Sequence, residues 1–202
     1  TGKTGILGVN IGPNKETKDQ LNDFCEGLKN FFDIADYITV NISSPNTEGL
    51  RDFHDQEKLI DLIVTLNKIK KDNRTDIPLL LKISPDIKSR HIPEIADAAT
   101  KNNISAIILT NTTNSNRDNL RSEFKEEEGG LSGEPLQQIS NNIIKRFYKE
   151  LNGKIPIIGV GGVNSGKSAY EKIISGASLL QLYTSFVYRG PTVAKDIKKE
   201  LI

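Results

Sequence analysis

The chain is poor in the residues from which metal centres and disulfide frameworks are built. It has one cysteine, two histidines and no methionine in 202 residues. A single cysteine excludes an internal disulfide and a zinc site made of thiolates. Cys25 falls beside Leu21, Phe24 and Leu28 in a helical pattern, which predicts a packed thiol and not a nucleophile. His54 and His91 stand among charged, loop-like residues and read as surface histidines. Charge of one sign is also missing: 27 Lys+Arg face 26 Asp+Glu, so no nucleic-acid partner is indicated. No apolar run approaches the roughly 18 residues of a membrane span. The start, Thr1-Gly2-Lys3-Thr4, is neither a signal peptide nor an initiating methionine, and the chain reads as cut from something longer.

What is present is an alternation. Apolar, partly β-branched runs at 5–11, 37–42, 79–83, 106–110, 155–160 and 179–184 predict six buried strands. Between them, Leu21/Phe24/Leu28/Phe31, Leu59/Leu62/Ile63/Leu66/Ile69, Ile92/Ile95/Ala96/Ala99 and Leu136/Ile139/Ile143/Phe147 step by three and four. Shorter helical patterns follow at 169–174 and 193–201. Buried strands separated by amphipathic helices imply βαβ units and a parallel sheet. Six strands fit an open doubly wound sheet, or a (β/α)8 barrel short of two strands. The longest loop runs from Asn114 to Glu134; its Lys125-Glu126-Glu127-Glu128 run reads as solvated and Gly129-Gly130 as a joint.

Both architectures bind ligands at the carboxyl ends of the strands. Those ends carry Asn10; Asn41, Ser44 and Asn46; Lys82 and Ser84; Thr110, Asn111 and Thr112; Gly159, Gly161 and Gly162; Tyr183 and Thr184. Asp86 is the one nearby carboxylate, which supports neither a metal centre nor a paired-carboxylate glycosidase. Amides, hydroxyls and exposed backbone N–H groups suit a planar heterocycle that carries a phosphate, with a cofactor supplying the chemistry. The segment Asn41-Ile42-Ser43-Ser44-Pro45-Asn46-Thr47 is the most telling. Pro45 biases Ser44 toward an extended geometry, although a plain turn uses the same residue types. Lys82 ends a strand that should be buried. It is either a lysine snorkelling outward or a cation fixed against a ligand that develops negative charge.

Gly161-Gly162-Val163-Asn164-Ser165-Gly166-Lys167-Ser168 matches G-x-x-x-x-G-K-[ST], the phosphate loop of nucleotide triphosphatases. No other strand ends in the acidic residue that would help hold magnesium, and the match falls on the fifth strand instead of the first. A G-x-G-x-x-G fingerprint is absent after the first strand.

The segments Gly8–Gly12, Val40–Thr47, Leu81–Asp86, Thr110–Thr113, Gly129–Gly133, Gly159–Val163 and Gln181–Thr184 together resemble, in order, the class 2 (quinone-dependent) dihydroorotate dehydrogenases. The resemblance implies a (β/α)8 barrel truncated here to about six βα units. Residues 1–202 would be the carboxy-terminal part of a single FMN-binding barrel domain. It implies oxidation of dihydroorotate to orotate in pyrimidine synthesis, with FMN as hydride acceptor and a quinone as electron acceptor. Ser44 occupies the place of the catalytic base, where class 1 enzymes use cysteine, and Thr47 is a candidate relay. Asn41, Asn46, Asn111 and Thr112 match residues that hold the pyrimidine. Asn10, Asn41, Lys82 and Thr110 match flavin contacts. Gly133, Gly161, Gly162, Tyr183 and Thr184 match positions around the FMN phosphate and ribityl chain. The family's substrate lysine, its first flavin loops and its membrane-associating, quinone-admitting helices would precede Thr1. The resemblance therefore implies a monomer that associates with an inner membrane, bacterial or mitochondrial, when complete. A catalytically silent fragment is the alternative.

Overall fold

The central apolar runs become strands because their β-branched and aliphatic side chains are covered on both faces, whereas the first and last runs stay partly exposed. The computed structural model describes residues 5–44, 47, 49–115, 117–118 and 120–202. Its order is β1 (Gly8–Ile11), α1 (Gln20–Phe31), β2 (Tyr37–Asn41), α2 (Gln56–Asp72), β3 (Leu79–Ile83), α3 (His91–Lys101) and β4 (Ala106–Leu109). There follow α4 (Gln137–Leu151), β5 (Ile157–Val160), α5 (Gly166–Ile174), β6 (Leu179–Gln181), α6 (Thr184–Arg189) and α7 (Val193–Glu200). One-turn 3-10 helices occupy Leu50–His54 and Glu134–Leu136.

All neighbouring strands are parallel, in the spatial order β1-β2-β3-β4-β5-β6. The sheet is therefore a run of consecutive barrel strands, not a doubly wound sheet whose order reverses. Register pairs Asn10 with Thr39, Asn41 with Lys82 and Lys82 with Ile108. Strand ends are shorter than the sequence suggests. Residues 5–7 precede β1, and Tyr183-Thr184 leave β6 to begin α6.

The main core lies between the sheet and its helices, with Phe24, Leu28, Leu59, Leu62, Leu66, Ile95, Ile144 and Phe147 against Ile38, Leu79, Leu81 and Ile107. A smaller cluster of Leu80, Ala106, Ile108 and Ile158 fills the opposite face. Helix starts are set by short polar side chains: Asp19 accepts from Asn22 N, Asp55 accepts from Glu57 N, and Ser165 forms a capping box with Ser168. Cys25 is buried as the pattern requires.

His54 departs from its sequence reading. It is buried, only 6% exposed, at the end of the 3-10 helix that follows the Ser44 loop. Its polar neighbours misled the pattern, because a one-turn helix has no periodicity to show which side packs inward. Burial, reinforced by the charges of Arg51 and His91, lowers its pKa to about 4. His91 is half-buried and its Nδ1 lies 2.9 Å from a carboxylate oxygen of Glu94.

Candidate active site at the strand tips

A cleft of about 830 Å³ opens over the carboxyl ends of β3 to β6. Lys82, Thr110, Asn111, Thr112, Gly133, Gly161, Gly162, Tyr183 and Thr184 all line it. Nine of the positions singled out from the sequence thus meet in one concavity. Asn41 joins through hydrogen bonds. Asn10, Ser44 and Thr47 are not part of its wall, and Asn46 lies outside the described residues.

On the β2–β4 side the site is made of side chains. Asn111 Nδ2 donates to Ser43 Oγ at 2.9 Å and to Asn41 Oδ1 at 3.3 Å. Ser43 donates from its hydroxyl to Asn41 Oδ1 at 2.8 Å, and its backbone N–H reaches the same oxygen at 3.2 Å. Thr112 N donates to Asn111 Oδ1 at 2.8 Å, which fixes the orientation of that amide. The Asn41 oxygen is therefore saturated, while its amino group donates to no described residue. Ser43 was not singled out from the sequence. It is fully buried and holds Asn41 and Asn111 together. Ser44, next in the chain, is half-buried.

Three loops are tied together beside this network. Asp86 accepts from Arg51 Nη2 at 3.0 Å, from the Asn114 N–H at 3.2 Å and from the Thr113 hydroxyl. Thr113 in turn pairs with Leu131 through two backbone hydrogen bonds. Asp86 thus anchors the ends of the Ser44 loop, the β3 tip and the long loop after β4. Within that long loop, Arg117 donates to the carbonyls of Lys125, Glu127 and Gly129. Most of the Lys125–Glu128 run is exposed.

Lys82 is half-buried, and its ammonium makes no hydrogen bond or ion pair with any described residue. Burial pushes its pKa down. The Thr110 hydroxyl is buried without a partner among the described residues. A buried hydroxyl and, at the adjacent strand tip, a cation that no described residue pairs are what a bound polar ligand would complete.

On the β5–β6 side the site is mostly backbone. Gly161 and Gly162 have φ of 113° and 76°, angles that a side chain resists. A Cβ on Gly162 would lie 2.4 Å from Gln137 Cβ, so this glycine is required by the start of α4 as well as by any ligand. Thr184 Oγ1 donates to Ser132 Oγ at 2.9 Å, closing the long loop against α6.

The phosphate-loop match does not form a phosphate site at α5. The N–H groups of Asn164 and Ser165 both donate to Ser168 Oγ, and Ser168 N donates to Ser165 Oγ. The Gly166 N–H is taken by the Glu200 carboxylate. An anion already sits where a triphosphate would bind. Ser168, the would-be magnesium ligand, is buried in the cap, and Lys167 is exposed.

Among the described residues no helix is long and apolar enough to cross a membrane, and no group of three or more His, Cys, Asp or Glu side chains could hold a metal ion.

A parallel half-barrel of alternating β/α units with its polar groups at the strand tips defines a barrel-type enzyme class. The family model for dihydroorotate dehydrogenase matches residues 3–202, and the chain belongs to that family. It is 42% identical over 204 residues to the dihydroorotate dehydrogenase (quinone) of Bartonella tribocorum, covering 99% of this chain and 57% of that protein. The mitochondrial dihydroorotate dehydrogenase (quinone) of Arabidopsis thaliana is 42% identical over 203 residues, covering 98% of this chain and 44% of the relative. A crystal structure of DHODH from Eimeria tenella in complex with ferulenol superposes with a TM-score of 0.92 at 39% identity, covering 97% of this chain and 57% of that one. The chain therefore spans about half the length of these relatives, from 44% to 57%. Family membership implies a flavin cofactor.

Proposed function

We propose that the protein to which this chain belongs oxidises dihydroorotate to orotate with FMN and a quinone, and that these residues form most of its active site. One observation carries the reading. The Asn41–Ser43–Asn111 network stands at adjacent strand tips with the Lys82 ammonium and the Thr110 hydroxyl, neither of which has a partner among the described residues, in a chain of this family.

The residues fit FMN. Lys82 and Thr110 would offer donors to the ring, and the Gly161-Gly162 turn, with Gly133, Tyr183 and Thr184, would hold the ribityl phosphate. Asn10, on β1, would reach the ring from the far edge. When bound, FMN would supply the acceptor for the hydride from C6 of dihydroorotate, with a quinone as the final electron acceptor. Asn41, Asn111 and Thr112, with Asn46, hold the pyrimidine by its amide edges. Ser44 takes the proton from C5, so that the C5–H and C6–H bonds break and the C5=C6 double bond of orotate forms. A serine hydroxyl is a weak base, and the proton must be passed on. Thr47, half-buried, is the proposed relay. The Lys82 ammonium would lie against the ring and favour negative charge there.

Residues 1–202 would be the carboxy-terminal part of one barrel domain. The quinone, and a membrane surface, would be met by parts of the protein outside this chain, which in this reading works as a monomer at an inner membrane.

The test is direct. The complete gene product should be yellow, release FMN on denaturation, and lose its flavin colour when mixed anaerobically with dihydroorotate. A colourless protein that hydrolyses ATP with magnesium would replace this reading with the phosphate-loop one.

A further inference from the structure

Lys172 is the most deeply buried cation in the described structure. Its side chain is 0% exposed, on α5, behind the β5 tip. Its ammonium donates to Ser140 Oγ at 3.0 Å and to Asn141 Oδ1 at 2.9 Å, both neutral, and it forms no ion pair with a described residue. The adjacent Glu171 carboxylate accepts instead from Gln137 Nε2 at 2.7 Å. Burial draws the ammonium's pKa down to about 8, against a smaller opposing pull from Glu171. A buried ion held only by neutral groups is costly to a fold.

The surroundings are shaped for this lysine. A Cβ on Gly159 would lie 2.7 Å from both Cγ and Cδ of Lys172, so the strand is hollowed where the lysine stem passes. The ammonium is one hydroxyl away from the glycine turn. Lys172 can only donate, so Ser140 accepts from it and gives its own proton to the Val160 carbonyl at 2.7 Å. That carbonyl also accepts the Thr110 N–H at 3.0 Å, and the next two residues are Gly161 and Gly162. The side chain of Ser140 also backs the turn itself: a Cβ on Gly161 would stand 3.2 Å from Ser140 Cβ.

We propose that Lys172 is the built-in countercharge for the phosphate of the bound flavin, a cation fixed behind the glycine turn whose charge balance the ligand completes. This rests on the flavin reading above. Lys172 touches neither cofactor nor substrate. It acts through the field it sets at the turn and through the Ser140–Val160 chain that positions it. A cradle of neutral backbone N–H groups thereby gains a full positive charge that no exposed side chain displays.

The experiment compares FMN with riboflavin, which lacks the phosphate, on the flavin-free complete gene product, by quenching of flavin fluorescence. Wild type should bind FMN much more tightly than riboflavin. Lys172→Met should weaken FMN by about tenfold or more, the scale of one charge pair at intermediate dielectric, and leave riboflavin within about twofold. Asn141→Asp keeps the lysine and gives it an internal partner. It should weaken FMN in the same selective way while folding normally, so a Lys172→Met chain that fails to fold does not remove the test. Equal losses for both flavins, or no loss in either variant, would overturn the proposal and leave Lys172 a packing residue. A wild type that binds neither flavin would overturn the flavin reading itself, a distinct result. A wild type that binds both equally would overturn only the role given to Lys172.

Discussion

The two halves of the strand-tip cleft are built differently. Over β2 to β4 the functional groups are side chains that hydrogen-bond one another: Asn41, Ser43, Asn111 and Asp86 with their partners. Over β5 and β6 they are a backbone turn of two glycines, a loop closed by Ser132 and Thr184, and a cation hidden behind the sheet. The first half suits recognition of a flat, many-edged ring and transfer of a proton, where direction matters. The second suits a phosphate, where charge and close approach matter. Damage to the two halves should therefore separate into loss of chemistry and loss of cofactor.

The sharpest break is at Ser44. Ser44→Ala in the complete protein should slow flavin reduction by dihydroorotate by roughly 10²–10⁴-fold, the scale of a general base, with FMN content unchanged. Rapid-mixing absorbance at the flavin band measures it. A variant that instead loses flavin would erase the distinction between the halves.

His54 tests whether the first half carries a cost in acid. Its folded value of about 4 lies below the ordinary 6.5, so the unfolded chain binds more protons between those limits. Stability is intact above pH 6.5 and falls as pH drops toward 4, by about 3 kcal/mol from this group at most. Urea unfolding of wild type and His54→Leu at pH 7 and pH 4.5 should show the gap between them shift in favour of the variant in acid. A gap that does not change with pH would mean that His54 titrates normally.

Asn111→Ala removes the donor that links Ser43 and Asn41. Orotate affinity should fall by about tenfold, the worth of one or two buried hydrogen bonds, with FMN retained. A spectral titration of bound flavin with orotate reads this. The smallest effect belongs to Lys167→Ala on the β5 side: flavin content and turnover should stay within about twofold, as for an exposed substitution. A severe defect there would revive the phosphate-loop reading.

The sequence exposed residues of both halves but not the ties behind them. Asn41, Lys82, Thr110 and Asn111 stand at the ends of apolar runs, where the period of the strand changes to polar residues, and the fold brings them together at the tips. The parallel sheet was legible for the same reason, although two-strand-short barrel and doubly wound sheet remained equal until the family resemblance, and then the strand order, separated them. Ser43 was overlooked because it is flanked by stronger signals. Asp86 was noticed as a carboxylate but not as a tie between three loops, since Arg51 and Asn114 are 35 and 28 residues away in the chain. Lys172 did leave a trace. It lies three residues after Ala169 on the inward side of α5, where a charged residue is out of place. His54 left none. The glycine turn was read as special and the phosphate-loop match beside it was set aside; Ser168 serves the cap of α5 and Lys167 is exposed.

The most direct measurement is anaerobic mixing of the complete, flavin-loaded protein with dihydroorotate while the flavin band is followed. The account predicts that wild type bleaches in a single turnover, releases orotate and regains its colour on addition of a quinone, and that Ser44→Ala bleaches at least a hundredfold more slowly. A wild type that holds FMN but stays oxidised with dihydroorotate, or a Ser44→Ala variant that bleaches at the wild-type rate, would contradict it.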